Sequence, residues 1–307
     1  MAKILDFVRR STAPAGPAGG ALATFLEDFS IEVMPRTAAK VADFRAILPA
    51  GTRVYLAHID GTDFAEMLGA ARRLAHEGFA VMPHFPARGI ASEIELDNRI
   101  AAYADVGVRQ ALVIAGGIST PRGSFTEAMH LLRTGRFDAH GFTDLHVAGH
   151  PEGNRDIDPA GGDAICLAAL QAKNAFQRET DARMAIATQF CFESAAVIAW
   201  ADRLRDGGIA LPVHIGVAGP ARLQTLLKYA MSCGVGPSLR VLQRRAADLT
   251  KLMLPFAPTE ILAELAAHKV ANPASPIERV HFFPLGGIPA TTDYTAAATA
   301  RPLRARA

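Results

Sequence analysis

TRVYLAHIDGTDFAEMLGAARRLAHEGFAVMPH, residues 52–84, is the stretch whose reading decides the fold. It opens and closes on short β-rich apolar runs, 52–58 and 79–84. Between them, 62–77 carries apolar residues at helical spacing, charge on the opposite face and Thr62 as its N-cap. Strand, helix, strand in this order predicts a parallel pair joined by a crossover helix.

Working outward, the unit repeats. Further strands are expected at 29–34, 109–115, 142–148, 184–190, 211–217 and 279–284. Helices are expected at 91–105, 124–135, 161–180, 193–206 and 219–231, with two or more in the gap before the last strand. The count of eight strands predicts an α/β protein, a (β/α)8 TIM barrel in a single domain over 28–288. An open doubly wound sheet is the alternative, but no G-x-G-x-x-G follows the first strand, which ends Glu32-Val33-Met34-Pro35. Residues 1–27 read as an amphipathic start and a spacer, TAPAGPAGG at 12–20. Residues 289–307, rich in Ala, Thr and Arg, read as a C-terminal tail, either loose or a helix on the surface.

The 307 residues are 50% hydrophobic, enough for a large core, and 32 basic against 30 acidic residues leave a formal charge of +2. That balance predicts neither a nucleic-acid nor a membrane partner. No apolar run reaches membrane-span length, and Lys3, Arg9 and Arg10 are followed by no signal-type stretch, so a cytoplasmic protein is expected. Cys166, Cys191 and Cys233 share no metal-type spacing and read as reduced thiols, Cys233 within a tight turn between helices. Exposed apolar helix faces predict a homo-oligomer.

In such a barrel the chemistry lies where strands end. Those ends supply Glu32, His58, His84, Gly116, Gly117, His150, Glu152, Gln189, Gly216 and Gly219. The ring is rich in glycine and poor in clustered carboxylates, which suits a planar ligand held by backbone and amides. Glu32 closes a strand of buried type, where a carboxylate is either satisfied or functional. Partial burial predicts a raised pKa and a proton donor near neutral pH; the structural alternative ties it to Arg36. His58, His84, His146, His150, His214 and His281 lie in or near strands, but no His-x-His on the first strand and no H-E-x-x-H supports a metal site.

Six segments, taken together and in order, resemble the bacterial methylenetetrahydrofolate reductases over roughly 28–287. They are Ile31-Glu32-Val33-Met34-Pro35-Arg36-Thr37, Met82-Pro83-His84-Phe85, Val147-Ala148-Gly149-His150-Pro151-Glu152-Gly153, Ala187-Thr188-Gln189-Phe190-Cys191-Phe192, Pro212-Val213-His214-Ile215-Gly216 and His281-Phe282-Phe283-Pro284-Leu285. The resemblance implies an eight-stranded barrel that reduces 5,10-methylenetetrahydrofolate to 5-methyltetrahydrofolate. In that family NAD(P)H reduces bound FAD, and the flavin passes hydride to the one-carbon unit. It assigns Glu32 as the general acid at folate N10. It puts Gln189, Phe190 and Leu223 at the folate, and His58, His84, Gly116, Gly117, His150, Asn154 and Lys173 at the cofactor. Departures cluster on the cofactor side. Ala115-Gly116-Gly117 stands where the family has Arg-Gly-Asp. Cys166 and Ala169 replace Asp and Asn, His150 replaces Tyr, Asn154 replaces His, Leu223 replaces a stacking Phe, and Gly286-Gly287 replaces Asn-Arg. Either FAD binds in an altered way or NAD(P)H passes hydride directly to the folate. A folate-binding barrel without redox activity and a metal-dependent barrel lyase or hydrolase are the competing readings.

Overall fold

The computed structural model describes residues 17–232, 236–247 and 255–299. Cys233 and the amphipathic start lie outside them. The strands are β1 (Ser30–Val33), β2 (Arg53–Leu56), β3 (Ala80–Pro86), β4 (Gln110–Ile114), β5 (Asp144–Gly149), β6 (Arg183–Cys191), β7 (Val213–Ala218) and β8 (Ile277–Phe283). Each pairs in parallel with the next, and β8 returns to β1 through Ser30↔His281 and Ile31↔Phe282. This is a closed (β/α)8 TIM barrel, and each strand falls on an expected run.

Two helix readings change. Asp63, not Thr62, caps the helix Phe64–His76, its carboxylate accepting from Ala65 N at 3.0 Å. A carboxylate at that place also meets the positive end of the helix dipole. The segment 124–135 holds only the helix Ala128–Leu132, because Gly135 at φ 68° turns the chain into a second short helix, Arg136–Ala139. Three helices, Leu223–Ser232, Gly236–Ala247 and Thr259–Ala271, lie between β7 and β8. The helix Pro17–Phe25 begins inside the Pro/Gly/Ala stretch, and Ile288–Ala298 follows β8 with Thr291, Thr292 and Thr295 buried. Among the described residues no helix is long and apolar enough to cross a membrane.

The strands' period of two separates two environments. Outward residues such as Ile31, Val54, Val81, Val113, Ile186, Ile215 and Phe282 are buried in the main core with Met67, Ala71, Leu74 and other helix residues. Full burial of each such side chain contributes about 1.5–3 kcal/mol. The inward set is different: a small apolar layer of Tyr55, Met82, Leu112 and Ala187 is surrounded by polar side chains.

At the carboxyl rim the loops after β7 and β8 touch. A Cβ at Gly286 would sit 2.0 Å from Pro220 O and 2.8 Å from Ala221 Cα. Backbone cannot yield as a flexible side chain does, so Gly286→Ala is expected to cost about 1–3 kcal/mol. Thermal unfolding checks this; an unchanged Tm would mean the two loops do not meet.

Candidate active site

Glu32 sits at the barrel mouth with 21% of its side chain exposed, and two imidazoles from other strands face the same carboxylate oxygen. His84 Nε2 from β3 is 3.3 Å from Glu32 Oε2, and His281 Nε2 from β8 is 3.8 Å away. Ser30 Oγ lies 3.0 Å from His281 Nδ1 and 3.5 Å from Val280 O. The Glu32 carboxylate facing Nε2 can only accept, which puts the ring proton on Nε2 and leaves Nδ1 to accept from the serine hydroxyl. His84 Nε2 is buried and lacks an aligned hydrogen-bond partner, although it is within ion-pair reach of Glu32. Burial pushes the Glu32 carboxyl up, but hydrogen bonding to His281 and His84, together with their charge, brings it down to about 2. Glu32 is a carboxylate in the free protein. The sequence-based expectation of a raised pKa is overturned, because burial is visible in a strand pattern and two imidazoles from distant strands are not. Nor is Arg36 its partner: Arg36 is exposed, and the groups facing Glu32 are histidines.

Gln189 is aimed by an irregularity. The register of β6 against β7 shifts between Ala187 and Phe190, and such a bulge redirects a side chain. Thr188 fills it, its hydroxyl accepting from Gly216 N and donating to Gln189 O, both at 2.8 Å. Gly216 is required opposite, since a Cβ there would lie 2.4 Å from Thr188 O. The Gln189 Oε1 accepts from Phe190 N at 3.0 Å, leaving the amide NH2 as the group to offer a ligand. Phe190 and Leu223, expected at the folate, are instead buried together in an apolar cap with Phe192, Leu226, Leu242 and Phe256. Phe190 meets Phe283 edge-on, ring centroids 5.5 Å apart. Phe283, half-buried and 4.8 Å from the His281 ring, is a mouth residue the sequence reading passed over.

On the cofactor side His150 and Lys173 come together. Burial, then the lysine's charge, lowers His150 to about 4, and burial also lowers Lys173. Asn154 is a turn residue, its Oδ1 accepting from Asp156 N. His58 is half-buried after β2, its pKa lowered chiefly by burial. Gly116, at φ 89°, lies so close to Pro86 that a Cβ would approach it to 2.9 Å. The loop after β4 is thus folded onto the loop after β3. Arg88 is locked into that fold, donating to Thr126 O and Ile118 O, and Arg122 pairs with Asp60 at 3.7 Å. A flavin dinucleotide needs cationic and amide donors for its diphosphate and ribityl chain. Among the expected contacts Lys173 alone offers a cation, so these residues do not fit FAD in the manner the resemblance implies.

A cavity of ≈ 300 Å³ lies at the opposite end of the barrel, lined by Phe29, Leu48, Gly78, Thr292 and Thr295. Its threonine hydroxyls donate to helix carbonyls.

No family model matches the chain. Among solved structures it is similar to an uncharacterized protein from Clostridium thermocellum that binds two copies of 5-methyl-5,6,7,8-tetrahydrofolic acid. The TM-score is 0.56 and the identity 11%, over 92% of this chain and 97% of that one. At that identity the likeness establishes the shared fold.

Proposed function

We propose that this barrel is a divergent, folate-dependent reductase that carries hydride from NAD(P)H to the methylene carbon of 5,10-methylenetetrahydrofolate. The observation that carries the reading is the Glu32–His84–His281 cluster at the carboxyl end of the barrel. The folate ligand of the C. thermocellum barrel supports the substrate class. In this reading Glu32 and His84 act as one acid. The proton is carried by His84 as an imidazolium paired with the Glu32 carboxylate; it goes to N10, the C–N10 bond breaks, an N5 iminium forms, and neutral His84 and ionised Glu32 remain. Hydride from the nicotinamide then adds to that carbon, giving 5-methyltetrahydrofolate and NAD(P)+. Gln189 NH2 holds the pterin edge. The poor fit to FAD favours direct transfer.

The test is a nucleotide-oxidation assay with 5,10-methylenetetrahydrofolate, with and without added FAD, the folate product being identified by chromatography. Product equal to nucleotide consumed, without FAD, is expected. Product only with FAD refutes direct transfer, and no product under any condition refutes the reductase. Tight 5-methyltetrahydrofolate binding without turnover would instead establish the second reading, a folate carrier, which the neighbour's bound ligand also favours. Gln189→Ala is expected to raise the folate KM about 3–10-fold, the worth of one hydrogen bond, with kcat little changed. An unchanged KM would remove Gln189 from the folate site.

A further inference from the structure

The interior of a (β/α)8 barrel is ordinarily filled by branched apolar side chains. Below Glu32 this one carries Arg53, Tyr55, His146 and His214 instead, and their hydrogen bonds have a fixed polarity. Arg53 donates from Nε to Gln110 Oε1 at 2.9 Å and from Nη2 to Asp144 Oδ1 at 3.1 Å, and its Nη1 lies 3.4 Å from His146 Nε2. A guanidinium only donates, so Nε2 of His146 accepts. Burial first, then nearby positive charge, lowers the His146 pKa and keeps the ring neutral, with its one proton on Nδ1. That N–H donates to Tyr55 Oη. The Tyr55 ring in turn lies 4.2 Å from the His281 ring, tilted by 51°, and Tyr55 is the β2 register partner of Glu32.

We propose that Tyr55 and His146 are positioning residues for the Glu32 carboxyl. Arg53 and Asp144 fix the His146 tautomer, His146 tethers the Tyr55 phenol, and the Tyr55 ring braces His281 in the pose that aims Nε2 at Glu32. The column orients and does not conduct. Its base is an arginine, which does not release its proton, and the Tyr55 phenol is pushed further from ionisation by burial. The groups facing Glu32 are His84 from β3, His281 from β8 and Tyr55 from β2, with Arg53, Asp144, His214 and Arg279 around the column. The catalytic consequence rests on the reductase reading; the effect on Glu32 itself does not.

The test is therefore a carbon-13 NMR titration of glutamate carboxyls in the full chain, with Glu32 assigned by its loss in Glu32→Gln. Wild type should titrate far below an ordinary glutamate. Tyr55→Leu, which removes brace and tether, should raise the midpoint by about one pH unit or more. Tyr55→Phe and His146→Leu cut only the tether, so each should raise it by less. Their double variant should raise it no further than the larger single change, because both remove one bond. A Glu32 midpoint unmoved in folded Tyr55→Leu overturns the proposal, as do tether effects that simply add. If Tyr55→Leu does not fold, the tether cycle alone decides. With active enzyme, the same variants should shift the pH profile of kcat while leaving KM unchanged. If wild type turns over no folate, the reductase reading falls and the titration still stands.

Discussion

Glu32→Gln is expected to lower kcat by about 10²–10⁴-fold, the usual worth of a positioned acid, with a much smaller change in KM. The amide keeps the volume of the carboxyl and its reach to the barrel mouth, so folate binding should survive. It cannot pass a proton between His84 Nε2, 3.3 Å away, and a substrate nitrogen. Because Glu32 is held ionised in the free protein, it works as the terminus of a pair, and His84→Gln should lose activity comparably. If the two roles are one, the double variant should be little worse than either single change. Steady-state kinetics with saturating nucleotide measure all three. Turnover of Glu32→Gln within about threefold of wild type would falsify the assignment of the proton to this carboxyl.

The barrel was legible because its strands are short runs of Val, Ile, Leu and Phe bounded by helix caps and glycines. Such runs at β7 and β8, buried on their outer face, have no other stable home than a closed or covered sheet. Glu32 was legible as a carboxylate where a buried strand ends. The sign of its pKa shift was not. His281 and His84, which set it, come from β8 and β3, and His281 reaches Glu32 only because β8 closes onto β1. Phe190 follows Gln189 in the motif and is buried in the apolar cap, and the bulge before it leaves no mark in composition. The polar column did leave a mark. Arg53 and Tyr55, Asp144 and His146, and Arg279 and His281 are polar residues two apart within largely apolar strands. On a strand that spacing places each pair on one face, and the outer faces were already claimed by the core.

Those interior histidines predict an unusually early loss of stability in acid. His146, His214 and His281 are buried, and burial is the largest cause lowering each of their pKa values. In the unfolded chain they titrate near the ordinary 6.5. Below that pH the unfolded state binds protons the folded state refuses, so stability falls as pH drops. Each ring that stays neutral contributes up to about 1.4 kcal/mol per pH unit, His281 least, because Glu32 beside it works against the burial. Glu32 acts in a separate window. Its folded pKa is depressed from 4.5 to about 2, so its stabilisation is complete above the unfolded value and is lost only as pH falls below it. The histidines thus act first, and the carboxylate adds its own loss only below about 4.5. Urea midpoints measured from pH 7.5 down to 5 should decline steeply below about 6.5. His214→Leu should flatten that decline by about one proton's share. Its Nδ1 has no hydrogen-bond partner to strand, which makes it the mildest of the three to replace. Stability that stays level between pH 7 and 5 would mean the interior histidines accept protons within the fold, and the aligned column of neutral rings beneath Glu32 could not then exist.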